Sequence, residues 1–340
     1  MLATILLMQS FVFPSGVLIT NDGHILVADR GAHRVFRIDP SGTKETIIGN
    51  GTAGFSGDGG PAMGAVVNCP EWLAMANGAL ILADRGNHRV RRVDLTTNVI
   101  TTIAGNGDLA HSGDGGPAVQ AGITNPFGLL FDRDGRLLIF DTESHTIRRV
   151  DLATGTISTV IGNTRQGFSG DGGPAVDAEL YRPHNGVMDA EGRLVFGDSF
   201  NQRIRRWDPR TGMITTIAGS GVRGSAADGT PARNAPFNFF GAMIYDREGR
   251  LVFTSLDHRI VAIDTQGMIR LIAGTGTAGF SGDGGPARTA QLNTPYGLAM
   301  APNGDLVFAD AGNKRLRKID ARTGVIRTCL LYTSPSPRDS

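Results

Sequence analysis

The chain repeats itself, and that feature constrains its fold more than any other. Gly-Asp-Gly-Gly-Pro-Ala occurs at residues 57–62, 113–118, 170–175 and 282–287, with a degenerate copy, Ala-Asp-Gly-Thr-Pro-Ala, at 227–232. The aspartates of these copies, Asp58, Asp114, Asp171, Asp228 and Asp283, stand 56, 57, 57 and 55 residues apart. A second marker keeps the same step: Arg-Ile-Asp at 37–39, Arg-Val-Asp at 92–94 and 149–151, Arg-Trp-Asp at 206–208, Ile263-Asp264, and Lys-Ile-Asp at 318–320. A fixed period of this length marks a repeat architecture, in which each unit covers a face that its neighbour cannot bury alone. Six such units fill residues 1–328 and leave no room for a second domain.

Each unit holds four short apolar runs separated by turn signals. In the third unit these are Gly128–Phe131, Leu137–Phe140, Ile147–Val150 and Ile157–Ile161, with Arg133-Asp134-Gly135, Asp141–His145 and Asp151–Gly155 between them. Asp-Gly and Thr-Gly pairs between runs of this length are hairpin turns, because glycine accepts positive φ at no steric cost. Glycine accordingly makes up 48 of 340 residues, about twice ordinary usage. Arg148 and Arg149 between Ile147 and Val150 break strict alternation and predict a twist or a bulge. A four-stranded meander exposes two faces, and radial stacking hides both. The predicted fold is therefore all-β: a six-bladed β-propeller of four-stranded antiparallel blades, with short helical turns in the Gly-Asp-Gly-Gly-Pro-Ala inserts. The blades fall at about 14–49, 70–105, 126–162, 183–219, 240–274 and 295–328.

Asp84-Arg85-Gly86-Asn87-His88-Arg89-Val90-Arg91-Arg92-Val93-Asp94, followed by Ile100-Thr101-Thr102-Ile103-Ala104-Gly105, resembles the NHL repeat. The Gly-Phe-Ser-Gly-Asp-Gly-Gly-Pro-Ala insert resembles those of bacterial NHL proteins and of the teneurin NHL propeller. The resemblance covers residues 14–328. It implies the propeller fold, and it leaves activity open, because recognition propellers, sensor domains, lyases and lactonases share that scaffold.

Composition removes several classes. A net charge of +1 offers no bulk attraction to nucleic acid, and no run is long enough for a membrane span, so neither partner is expected. Residues 329–340 (CLLYTSPSPRDS) match nothing else in the chain and resemble sequencing-adapter read-through. They are set aside as a non-native tail, which leaves Cys69 unpaired and the natural chain expected to continue past Thr328. The opening MLATILLMQS lacks a basic n-region and a small-residue cleavage site. It reads as a stray β-strand or a truncated leader, and Ala3–Met8 is one candidate to pair with the short last strand at 326–328 and close the ring.

The repeated residues read as scaffold. Each insert supplies one dependable carboxylate, too few for the six to eight oxygens of a calcium site. The better reading is a helical turn, with the aspartate or a glycine capping it, proline at its first position, and Ala62, Ala65 and Val66 plugging the gap between blades. His33, His88, His145 and His258 occupy one repeat position, expected to bond Asp29, Asp84 or Asp141 in the preceding turn. The arginine rows (Arg91, Arg92, Arg148, Arg149, Arg205, Arg206) alternate with aspartates and lack an accompanying aromatic set, which argues against an RNA face.

Individuality is confined to the start of each inner strand, which lines the channel. The residue after proline, or its equivalent, is Ser15, Glu71, Phe127, His184, Gly241 or Tyr296; Trp72 and Asn185 replace the glycine that follows, and Phe239 and Phe240 precede it in blade five. The candidate ligand-binding set at the mouth is Glu71, Trp72, Phe127, His184, Asn185, Phe240 and Tyr296. Apolar walls with a few polar groups suit a ligand pocket, and the same side chains could instead plug the channel top. Two functions follow. The first is a monomeric binding or scaffold propeller taking a protein, peptide or carbohydrate ligand, part of a bacterial extracytoplasmic recognition or sensor protein. The second is a lactonase or lyase holding calcium or another divalent cation as Lewis acid, for which Glu71, His184 and Asn185 are the candidate ligands. These three do not match lactonase motifs, and the lyase relatives use several channel histidines where this chain offers one. For the metal reading, the Glu71 carboxylate and the His184 ring must meet.

Overall fold

The computed structural model describes residues 11–76 and 78–329. They form six four-stranded antiparallel sheets, each a meander in chain order. The inner strands are Pro14–Ile19, Pro70–Ala76, Pro126–Phe131, Pro183–Met188, Phe240–Tyr245 and Pro295–Met300. The outer strands are Lys44–Ile48, Ile100–Ala104, Thr156–Ile161, Met213–Ala218, Ile269–Ala273 and the short Ile326–Thr328. Inner strands touch in ring order, and the sixth touches the first. Among the described residues no strand is exchanged between the first and last blades. An apolar seam joins them instead, with Phe11, Val17, Val27 and Phe36 against Val307, Ala309 and Leu316. The Ala3–Met8 closure lies outside the described residues, as does the tail beyond Cys329.

Alternation places one face of every sheet against the blade before it and the other against the blade after it. Leu80, Leu82 and Val93 of blade two thus pack with Leu26, Ala28 and Ile48 of blade one, while Ile81 and Ala83 face the other way. The predicted bulge recurs where the outer pair loses register, between Ile147 and Arg148, Val90 and Arg91, and Ile204 and Arg205.

The inserts form the expected one-turn 3-10 helices, Ala62–Gly64 in the first. Ala62, Ala65 and Val67 fill the seam between blades one and two, with Val67 buried where Val66 was expected. Two expectations are corrected. Proline itself is the cap residue, and no side chain caps the turn. The insert aspartate reaches instead across the seam to the buried third-strand arginine of the following blade: Asp58 to Arg91 at 2.8 Å, Asp171 to Arg205 at 2.9 Å and Asp283 to Arg317 at 2.7 Å. The backbone just after it also pairs with that blade's outer strand, as in Gly59 N–H to Ile100 O at 2.8 Å and Ile100 N–H to Gly60 O at 3.0 Å. The insert therefore covers an edge that would otherwise expose unpaired backbone.

The repeated histidines do not bond the preceding aspartate. They adopt left-handed backbone, and Nδ1 reaches the backbone ahead of the next blade's inner strand: Cys69 N–H donates to His33 at 3.1 Å and Thr294 N–H to His258 at 3.1 Å. The glycine closing each unit is required by that turn. Gly105 sits at φ +88°, and a Cβ there would lie 2.3 Å from the His88 carbonyl oxygen.

Candidate ligand-binding site at the channel mouth

Antiparallel order brings three features to one face: the start of the inner strand, the turn after the second strand, and the two ends of the insert. The carboxylate closing the second strand ties them together. Asp84 accepts from Asn68 N–H at 2.7 Å, Asp198 from Tyr181 N–H at 2.8 Å and Asp310 from Asn293 N–H at 2.7 Å. Each carboxylate fixes the approach to its inner strand and so fixes the residue after the proline.

Those residues fill the channel. Ser15, Glu71, Phe127 and Tyr296 are all buried. Phe127 and Tyr296 come from blades three and six, on opposite sides of the ring, yet their ring centroids are 6.1 Å apart. Phe13 packs edge-on to Tyr296 at 6.3 Å, and His184 stacks on Phe127 at 4.5 Å with 15° between planes. The rings thus close the axis and form a floor rather than the walls of a deep cavity. Phe200 extends the aromatic surface, edge-on to His184 at 6.2 Å and 4.4 Å from the half-buried Phe239.

Glu71 carries the charge at the centre. It is fully buried, and both Arg85 Nη1 at 3.3 Å and Arg30 Nη1 at 3.6 Å approach the same oxygen, Oε2. Arg85 also donates from Nε to Asn125 Oδ1 at 2.7 Å. Burial pushes the Tyr296 hydroxyl well above its ordinary range, and the neighbouring Glu71 charge adds to the rise. Burial lowers His184 to about 4 against a hydrogen bond to the Phe240 backbone, and the nearby Arg85 and Arg182 lower it further. At neutral pH both groups are uncharged.

Two members of the predicted set sit elsewhere. Phe240 occupies the proline position of blade five and points into the inter-blade core, 5.3 Å from Phe237 and 5.5 Å from Phe253. Phe239 is the mouth-facing ring of that pair. Trp72 packs in the seam toward blade three with Ala74 and Leu129. Asn185 is buried, and its Oδ1 accepts from Gly186 N–H at 2.8 Å while Nδ2 has no partner.

The donors proposed for a divalent cation take other partners: Glu71 is engaged by two guanidinium groups, His184 lies flat on Phe127, and Asn185 bonds the adjacent backbone. Among the described residues no group of three or more His, Cys, Asp and Glu side chains is placed to hold a metal ion. Two guanidinium groups converging on the one carboxylate do not suit a third cation there.

Arg30 and Arg85 were not among the candidates read from the sequence. They stand just after the second strand, in a turn whose later residues repeat closely. That first position reads Arg30, Arg85, Thr142, Ser199, Leu256 and Ala311 around the ring, which is the same variability that picks out the residue after proline.

Six radially stacked four-stranded sheets make this chain a six-bladed β-propeller, and residues 11–38 match the NHL repeat. Mouse teneurin-4 is 28% identical over 96% of the chain, and the chain spans 13% of that protein's length. Among solved structures, an auxiliary nutrient binding protein from Bacteroides thetaiotaomicron superposes with a TM-score of 0.65 at 16% identity, covering 91% of this chain and 69% of its own. Virginiamycin B lyase from Staphylococcus aureus gives 0.55 at 14% identity, covering 93% and 84%. At such identities the two structures share the fold alone.

Proposed function

We propose that this propeller is a binding scaffold that presents a recognition surface at its channel mouth to a protein, peptide or carbohydrate, as part of a bacterial extracytoplasmic recognition or sensor protein. One observation carries the reading: the side chains that depart from the repeat gather on one face, with Arg30, Arg85, Phe13, His184, Phe200 and Phe239 above a floor of Phe127 and Tyr296. Aromatic rings beside arginine are the composition that recurs at the energetic centres of binding surfaces. A nutrient binding protein is built on the same scaffold, which is compatible with this class of function. The likeness to a lyase supports only the shared scaffold, because the candidate metal donors here are otherwise engaged.

The test is a glycan and peptide array probed with the wild-type protein and with Phe200→Ala. Phe200 is half-buried, so the variant is expected to keep its melting temperature within a few degrees while losing array binding by about tenfold or more. Array binding unchanged in Phe200→Ala contradicts the mouth as the recognition surface. Extracytoplasmic placement is tested by fractionating cells that express the natural gene.

A further inference from the structure

We infer that the mouth over blades one and two recognises a carboxylate, held between the guanidinium groups of Arg30 and Arg85; this rests on the mouth being the binding surface.

Charge gives the first argument. Arg182 pairs with Glu143 at 2.7 Å and is neutralised, while Arg30 and Arg85 share the single charge of Glu71. The cluster of Arg30, Arg85 and Glu71 therefore retains one net positive charge, and Arg223, over the Phe239 ring at 4.8 Å, adds a second cation farther round the mouth. A monoanion balances the charge of that cluster, which fits a carboxylate better than a phosphate dianion.

Placement gives the second argument. Glu71 is wholly withdrawn from solvent, whereas the Arg30 and Arg85 side chains are 30% and 31% exposed. The counter-charge lies beneath and the donors lie above, where an incoming anion meets cations before it meets Glu71. A guanidinium has five N–H donors. Arg85 commits Nε to Asn125 and Nη1 to Glu71, and no side-chain hydrogen bond within 3.5 Å is formed by Arg30 among the described residues. Most of this donor capacity is open to a ligand.

Preorganisation gives the third. Arg30 lies over the Phe13 ring at 3.9 Å, and Arg85 lies over Phe127 at 5.3 Å. Both planar heads are held by aromatic faces before any ligand arrives, which lowers the ordering cost of binding. A fixed guanidinium plane matches a carboxylate in two parallel hydrogen bonds. The Phe127 and Tyr296 rings beside it, inclined at 57° to each other, form an apolar floor beneath the group that bears the carboxylate.

Two sources share this chemistry: a uronate sugar, and the terminal or side-chain carboxylate of a peptide. The experiment uses one array of oligogalacturonides and acidic or free-C-terminus peptides, printed once with carboxylates free and once with them methyl-esterified. It is probed with wild type, Arg30→Gln, Arg85→Gln and Phe200→Ala. The expected result is binding confined to the free-carboxylate array and weakened about tenfold or more in each arginine variant. Which arm is occupied identifies the source. Spots that survive esterification overturn the carboxylate inference, and if they still vanish in Phe200→Ala the mouth remains the binding surface. Spots indifferent to all three variants overturn both readings, and two empty arrays contradict the binding function itself. The esterification arm needs no substitution and stands if a variant misfolds.

Discussion

Blade four and blade five solve the same burial problem with opposite chemistry. In blade four, the fully buried Arg205 holds Asp198 at 3.2 Å within the sheet and Asp171 of the insert at 2.9 Å. In blade five the arginine is Val261, the strand-end aspartate is Ser255, and Phe237, Phe240 and Phe253 fill the space. Asp228, the insert aspartate of blade five, has lost its buried arginine; it accepts from Leu271 N–H at 2.7 Å and lies 3.7 Å from Arg288. Blade one changes only the arginine: Phe36 stands at that position, packed on Phe11 at 5.9 Å, while the buried Asp29 remains and accepts from the Val12 and Phe13 N–H groups at 2.8 Å. In blade five the buried arginine and the strand-end aspartate are replaced together and an apolar cluster takes the place of the ion network, whereas in blade one backbone N–H groups serve the aspartate that has no arginine. Such joint replacement is the behaviour expected when desolvation nearly cancels the attraction between buried charges.

The largest expected effect comes from breaking one set partway. Arg205→Ala leaves Asp198 buried without its cation and is expected to cost about 3–5 kcal/mol in chemical denaturation. Converting blade four further toward blade five, with Arg205→Val and Asp198→Ser together, is expected to cost about 1–2 kcal/mol less than Arg205→Ala, because coupled neighbours do not add. A double variant worse than the single one breaks the comparison.

Blades three and four sharpen it through pH. Burial raises Asp198 to about 6 despite its hydrogen bonds and Arg205. A raised carboxyl favours the folded state below its ordinary value near 3.9, and that stabilisation is lost as pH rises through about 6. In blade three, burial also acts to raise Asp141, but the His111 ring 3.7 Å away and hydrogen bonds from Thr124 and Asn125 outweigh it and leave the group lowered. A lowered carboxyl stabilises above the unfolded value, and that stability is lost as pH falls through the folded one. Asp198→Asn is therefore expected to gain on wild type as pH rises from the ordinary carboxylate value through about 6, and Asp141→Asn to lose ground as pH rises toward the ordinary carboxylate value from below, measured as denaturation midpoints. Slopes of the same sign contradict the assignment.

The smallest effect belongs to the rim. Phe168 is 40% exposed and lies over Arg203 at 3.8 Å and Arg205 at 4.9 Å. Phe168→Ala is expected to cost about 0.5–1 kcal/mol, the scale of an exposed cation–π contact, in the same denaturation assay.

The repeat made the architecture readable, because a constant step and turn signals leave one way to bury six meanders. It could not show who bonds whom across a seam. His33 meets Cys69 and His258 meets Thr294 through the backbone of the following blade, a partnership that residue identity does not encode. Insert aspartate and third-strand arginine likewise meet only after folding, although the degenerate insert at 227–232 and the missing arginine at Val261 already belonged to one blade. At the mouth, Glu71, Phe127, His184 and Tyr296, picked out by variation after the proline, lie close together. Phe240 was misplaced because blade five substitutes phenylalanine for proline and turns it into the core. Arg30 and Arg85 were passed over because they sit beside the most constant residues of the repeat.

The most direct test pairs one scaffold variant with one mouth variant and measures melting temperature and array binding for both. If the repeated residues hold the ring and the departures from repetition recognise the ligand, Arg205→Ala lowers the melting temperature and retains binding in the cold, while Phe200→Ala retains the melting temperature and loses binding. The reverse pattern, or both losses in both proteins, contradicts that division.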